Sequence, residues 1–194
     1  VPKVSVGDYV WFDVNHDGIQ DASDIPLEGV ELTITKPNGD PVFDVFGNPV
    51  TTTTTDADGK YLFDQLPVGE YKVTVTPPVG MDPTLSGGGT GTTDSSTGSA
   101  SSADLQVDGA EDLSLDFGFY APKVSVGDYV WLDVNHDGIQ DATDVPLKDV
   151  TLTITYANGD PVTDIFGNPV TTTTTDADGK YLFDNLPLGQ YKVT

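Results

Sequence analysis

The sequence predicts an all-β chain of two tandem β-sandwiches, and three observations carry that prediction. Apolar and polar residues alternate in short runs such as GVELTIT at Gly29, the two-residue period of a half-buried strand. No segment carries a sustained apolar stripe at helical spacing. The stretch KVSVGDYVW at Lys3 returns at Lys123, a repeat of 120 residues, and residues 1–74 and 121–194 are identical at 60 of 74 positions.

Along the first unit, Val30, Leu32 and Ile34 form the inward row of a strand, and PNGD supplies the hairpin turn, because Asn38 and Gly39 tolerate positive φ. VTTTTT is β-branched throughout and suits a pleated surface. DADG turns the chain, KYLF makes a strand, LPVG turns again, and EYKVTVT makes the next strand up to Pro77 and Pro78. Residues 83–103, rich in Gly, Ser and Thr, read as a flexible surface span. LSLDFGFY restores alternation and closes the sheet. About seven short strands in 120 residues suggest a β-sandwich.

The expected domains are residues 1–120 and a C-terminally shortened copy over 121–194. The second copy stops at YKVT, inside a strand of the first. Either it is a piece of a longer chain or a neighbouring molecule supplies the missing strands by donor-strand assembly. Only APK separates Tyr120 from the next VSVGDYVW, so a stiff rod of units is expected, each repeat partnered by its neighbours, with head-to-tail self-assembly as a further partner mode.

The net charge is −23, from 31 acids against 8 bases, and every base is lysine. Without arginine forks or basic patches, a nucleic-acid partner is excluded, and an anionic membrane surface would repel the chain. Zero cysteines exclude disulfides and thiolate metal sites. No apolar run of membrane-spanning length occurs in this stretch, and no leader pattern opens it. The piece is therefore cytoplasmic, or its targeting signals lie outside it.

Charge concentrates in DVNHDGIQDASD at Asp13 and DVNHDGIQDATD at Asp133. A twelve-residue loop wraps calcium with oxygen ligands at alternating positions. Asp13, Asn15 and Asp17 fall at positions 1, 3 and 5, and Gly18 falls at the sharp turn. Ile19 would offer its carbonyl with its side chain packed inward, and Asp21 and Asp24 take positions 9 and 12. The second copy repeats the set as Asp133, Asn135, Asp137, Ile139, Asp141 and Asp144. The competing reading is an acidic Asx-rich turn, but four carboxylates repel unless solvated or bridged. Magnesium fits less well than calcium, because it demands strict octahedral geometry. Asp56 and Asp58, with Asp176 and Asp178, are secondary candidates whose alternative is a plain Asp-Gly hairpin turn.

An enzyme is not expected. His16 and His136 sit at position 4 of the loops, where side chains face water, and the serines cluster in the flexible span with no histidine nearby in sequence. A helix-flanked calcium loop is also not expected, because IPLEGVELTIT after the loop demands a strand.

VGDYVWFDVNHDGIQD, GVELTIT, TTDADGKYLFDQLPVGEYKVTV and LDFGFY together resemble the B-type repeat of serine–aspartate repeat surface adhesins, related to collagen-adhesin B-type domains. The resemblance implies a prealbumin-like (Greek-key, Ig-like) sandwich that binds calcium. It implies extracellular repeats standing as a stalk between a ligand-binding head and a cell-surface or cell-wall anchor, with ligands at Asp13, Asn15, Asp17, Asp21 and Asp24 and their partners 120 residues on. The alternatives are an extracellular ligand-binding module and a fibre subunit completed in trans. The family often has Glu where Asp24 stands, which lowers the expected affinity. Some relatives carry a Lys–Asn cross-link. LSLDFGFY offers no Asn and VSVGDYVW no Lys, so none is expected here.

Overall fold

The computed structural model describes residues 1–87, 89 and 93–194, and its chain divides into two units, Val1–Ala121 and Pro122–Thr194. The first unit carries β1 (Lys3–Phe12), β2 (Ile25–Pro26), β3 (Glu31–Thr35), β4 (Val42–Phe43), β5 (Pro49–Val50) and β6 (Thr52–Thr54). It continues with β7 (Lys60–Pro67), β8 (Lys72–Val75), β9 (Asp82–Pro83), β10 (Ser99–Ser101), β11 (Glu111–Asp112) and β12 (Phe117–Tyr120). Among the described residues, seven of these are longer than two residues, in keeping with the strand density of the sequence.

β1 organises the larger sheet. It pairs antiparallel with β7, from Lys3↔Pro67 to Tyr9↔Lys60, with an irregularity between Val4 and Val6. Its start runs parallel to β11 and its end parallel to β12, where Val10 faces Phe117 and Phe12 faces Phe119. The second sheet has the order β10-β8-β3-β6. Between them lies the core predicted by alternation: Leu32 and Ile34 from β3, Val73 and Val75 from β8, and Val6, Val10, Phe63, Phe117 and Phe119 from the facing sheet. The expected LPVG turn is shorter than read, because Leu66 and Pro67 belong to β7, and Leu66 is fully buried.

The span 83–103 departs from the flexible loop expected of its composition. Gly88, Thr90, Gly91 and Thr92 of that span lie outside the described residues. The described part runs along the edge of β12, beginning at β9, and then reaches the edge of β8. Thr84 N–H donates to Gly118 O, Ser96 N–H to Asp116 O, and Gly118 N–H to Ser95 Oγ. Ile19 bridges to Asp94, and Ser99–Ser101 adds a strand beside β8. Thr84, Ser95 and Ser102 are buried. Small polar residues carry no hydrophobic period, yet their hydroxyls satisfy strand amides that would otherwise be orphaned under this cover.

That cover explains why Trp11 is fully buried on the face away from the core, and why residue 118 is glycine. A Cβ there would lie 2.6 Å from Thr84 Cγ2 and 2.7 Å from Trp11 Cζ2. Gly118→Ala is expected to cost the first unit about 1–3 kcal/mol through overpacking, read from the urea midpoint.

The second unit carries β13 (Lys123–Tyr129), β14 (Trp131–Leu132), β15 (Val145–Pro146), β16 (Thr151–Tyr156), β17 (Val162–Thr163), β18 (Pro169–Val170), β19 (Thr172–Thr174), β20 (Lys180–Pro187) and β21 (Tyr191–Val193). β13 repeats the β1–β7 register against β20, from Lys123↔Pro187 to Tyr129↔Lys180. Its core is Leu152, Ile154, Val162, Phe183 and Leu186. The 194-residue sequence holds no counterpart of β12 for this unit, and Trp131 is half-buried where Trp11 is fully buried.

Candidate metal centre

The acidic loop leaves the end of β1 at Asp13, and Asp13 is its hub. Its side chain is 1% exposed. Oδ1 accepts the amides of His16 at 2.6 Å and Asp17 at 3.3 Å; Oδ2 accepts Gly18 N–H at 2.8 Å and the Thr84 hydroxyl at 2.6 Å. Gly18 has φ +76°, as the sharp turn requires, and a Cβ would stand 2.3 Å from Leu85 O. His16 takes a left-handed φ of 58°, remains exposed, and stacks on Tyr120 with ring centroids 3.6 Å apart.

The other candidate ligands also cap the loop. Asn15 Nδ2 donates to Asp17 Oδ2 at 2.8 Å, and Asp17 Oδ1 accepts Ile19 N–H at 2.8 Å. Asp21 Oδ1 accepts the Ser23 hydroxyl and amide, which hold its carboxyl below the usual range. Asp24 receives Val14 N–H and Asp21 N–H. Burial raises its pKa above the ordinary value, and the charges of Asp13 and Asp21 add to the rise. The Asp21 and Val14 amides oppose that rise, so burial more than like charge sets it.

The second loop repeats this wiring. Asp133 Oδ2 accepts Gly138 N–H at 2.9 Å, Asn135 Nδ2 donates to Asp137 at 2.8 Å, and Asp144 receives Val134 and Asp141 amides. Ile139 is 63% exposed, so its side chain does not pack inward as expected, whereas Ile19 is half-buried beneath the 83–103 span. Asp56 and Asp176 cap their hairpins: Asp56 Oδ1 accepts Asp58 and Lys60 amides, and Asp176 Oδ1 accepts Asp178 and Lys180 amides. Among the described residues, no three acidic or histidine side chains converge as a metal-holding group.

The donor set nonetheless fits a hard cation chemically. It consists of carboxylates, one amide oxygen and a backbone carbonyl, with no sulfur or inward imidazole. Gly18 and His16 hold the sharp turn with positive φ, as a loop that wraps an ion requires.

Sequence reasoning missed two groups. Thr84 lay in a span read as flexible, and its only signal was a β-branched residue after Pro83. Asp116 is fully buried, and neither of its oxygens has a hydrogen-bond partner. Its signal was an acid set between Leu115 and Phe117 in a closing strand.

Two β-sandwich repeats, each with an acidic dodecapeptide after its opening strands, make a tandem-repeat chain. The chain belongs to the SdrD B-like domain family, which matches residues 4–119 and 124–194. It is 42% identical over 193 residues to serine-aspartate repeat-containing protein E of Staphylococcus aureus (strain USA300), covering 99% of this chain and 15% of that protein. It is likewise 42% identical over 193 residues to serine-aspartate repeat-containing protein D of Staphylococcus aureus (strain Newman), covering 99% of this chain and 13% of that one. The chain therefore spans less than a sixth of these relatives. Among solved structures, the Bacillus anthracis TIE protein aligns with a TM-score of 0.49 at 20% identity, over 100% of this chain and 29% of that one. The shaft pilin SpaA of Lactobacillus rhamnosus GG (D295N mutant) aligns with a TM-score of 0.38 at 16% identity, over 99% of this chain and 86% of that one. The chain matches the B-repeat region of Sdr proteins, and membership makes it a non-catalytic repeat.

Proposed function

We propose that this chain is a calcium-stabilised spacer from the stalk of a bacterial cell-surface adhesin, outside the cell. The observation that carries the reading is the paired acidic loop. The first loop leaves β1 and the second leaves β14; each offers six oxygen ligands, and in the first the charges of Asp13 and Asp21 act on Asp24. A bound calcium would be held by Asp13, Asn15, Asp17, the Ile19 carbonyl, Asp21 and Asp24, and by their counterparts in the second unit. Its double positive charge would offset that repulsion and fix the loop to the strand end. Hooking Asp13 to Thr84 already ties β1 to the covering span, so stiffening the loop stiffens the whole outer face.

Extracellular modules bind calcium at about 10⁻⁴–10⁻³ M, suited to external concentrations. With free ion at ten to a hundred times Kd, one site adds about 1.4–2.7 kcal/mol. For a unit near 120 residues that is a rise of about 5–15 °C in Tm. The test is calorimetric titration of the full chain with calcium, with melting curves in calcium and in chelator. The expected result is saturable heat and a higher Tm in calcium. Identical melting curves would sink the reading. The alternative of a ligand-binding repeat has less support, because residues of the 83–103 span are spent on covering Trp11 and Asp13.

A further inference from the structure

We propose that the Asp82–Pro83 bond is a self-cleavage site: in mild acid the Asp82 carboxyl severs it while the first unit stays folded, dividing the chain into residues 1–82 and 83–194.

The sequence holds three Asp–Pro bonds, at Asp40–Pro41, Asp82–Pro83 and Asp160–Pro161. Such a bond sets a short-armed carboxyl beside a tertiary amide whose nitrogen leaves as a secondary amine. The carboxyl is an intramolecular nucleophile, and its reactivity depends on whether it is free to meet its own carbonyl carbon. All six residues are exposed, so access to solvent does not distinguish the three bonds.

Hydrogen bonding does. Asn38 Nδ2 donates to Asp40 Oδ2 at 2.8 Å, and Asp40 N–H donates to Asn38 Oδ1 at 3.1 Å. Asn158 and Asp160 repeat this clasp at 2.7 and 3.0 Å. Each asparagine precedes its aspartate, so the clasp ties the carboxyl back to the turn and away from the carbonyl that leads to proline. The Asp82 carboxyl has no such partner among the described residues. Its backbone is nevertheless fixed, because Asp82 pairs with Tyr120 and Pro83 with Phe119 in the ladder of β9 and β12. Beyond the bond, Thr84 N–H donates to Gly118 O and the Thr84 hydroxyl to Asp13 Oδ2. A held backbone with a free side chain keeps the reacting atoms within reach of each other. Among the described residues, β12 is the strand beside β9, and the titratable groups there are Tyr120 and the His16 stacked on it. Neither bonds to the Asp82 carboxyl.

A carboxyl oxygen of Asp82 attacks the Asp82 carbonyl carbon, and the new C–O bond closes a five-membered anhydride. The C–N bond to Pro83 breaks, and its electron pair stays on nitrogen, which takes up the acid proton and leaves as the amine of Pro83. Water then opens the anhydride, restoring the side-chain carboxyl and leaving a second carboxyl as the new chain end. The net change is hydrolysis by solvent water alone. Because the leaving nitrogen needs a proton, the rate rises as the pH falls.

The test holds the full chain at about 37 °C and about pH 4, where near-ultraviolet circular dichroism of the tryptophans confirms the fold. Fragments are counted by intact mass, against a parallel sample in concentrated urea. The expected result is that 1–82 and 83–194 accumulate about tenfold faster than the products of cutting after Asp40 or Asp160, a preference that urea erases. Asp82→Glu, which moves the carboxyl one methylene away, is expected to suppress the cut. Asn38→Ala frees Asp40 and is expected to raise the Asp40–Pro41 cut several-fold, with Asp160–Pro161 unchanged as the internal control. Equal rates at the three bonds in the folded chain, or no 1–82 in it, would overturn the proposal. So would an Asp40–Pro41 cut indifferent to Asn38→Ala.

Discussion

Replacing Asp13 with alanine is expected to destabilise the first unit by about 3–5 kcal/mol in urea unfolding, with a chelator present throughout. The chelator removes any contribution from calcium and leaves the hydrogen bonds as the cause. Asp13 accepts three backbone amides and the Thr84 hydroxyl while 1% exposed. Alanine orphans Gly18 N–H and the Thr84 hydroxyl beneath the covering span, and charge-assisted bonds to buried donors are worth about 1.5–3 kcal/mol each. The loss is a large share of a margin of about 5–15 kcal/mol. Asp133→Ala is the internal comparison. Asp133 is half-buried and accepts from Asp137 and Gly138 without a threonine partner, so a loss of about 1 kcal/mol is expected. Equal losses for the two substitutions would show that Thr84 and burial do not set the stability of the first loop. Thr84→Val, which keeps the shape and removes the donor, is expected to reproduce about 1–2 kcal/mol of the Asp13 effect.

The fold was legible where residues alternate. Val30, Leu32 and Ile34 announce β3, and the period of 120 residues announces the second unit before any packing is known. Turn chemistry was legible too: Gly18, Gly39 and Gly59 all take positive φ where the acidic loop, PNGD and DADG demand it. What escaped were contacts between residues far apart in sequence with no periodic signature. Thr84 lies 71 residues from Asp13, and Ser95 lies 23 from Gly118. Composition alone marks the 83–103 span as loose, while its hydroxyls meet strand amides that only the folded sheet brings near. The buried carboxyl pair escaped for the same reason. Asp8 and Asp116 become neighbours through the parallel pairing of first and last strands, which nothing local in either segment encodes. Even the dodecapeptide shows the limit: spacing identifies six oxygen donors, whereas the fold shows that the five side chains among them already accept hydrogen bonds within the loop.

Between pH 9 and pH 5, again in chelator, the first unit is expected to become more stable as the pH falls, opposite to the trend of a chain whose carboxylates are all salt-bridged. Asp116 has its folded pKa raised from 3.8 to about 9 by burial and by the Asp8 carboxylate. The folded state therefore binds more protons than the unfolded chain between those values, and stability must rise as protons become available. This contribution is complete below the unfolded pKa and is lost as the pH climbs through the folded one. Its size by pH 9 is on the order of a few kcal/mol. Asp8, also raised by burial, pulls in the same direction. Asp21 and Asp141, held low by the hydroxyls of Ser23 and Thr143, and Asp44, held low by Asn48, pull the other way. Their contribution is present above the ordinary carboxylate range and is lost only as the pH falls through and below it. The stability maximum of the first unit therefore falls near pH 5, where Asp116 is protonated and the exposed caps are still charged. Trp11 fluorescence in a Trp131→Phe background reports the first unit alone. A midpoint independent of pH from 5 to 9, or one that rises with pH, would mean the pair carries no proton in the folded state. The Asp8→Asn, Asp116→Asn double variant is expected to flatten the slope and to exceed wild-type stability at pH 8, because it removes the repulsion along with the proton.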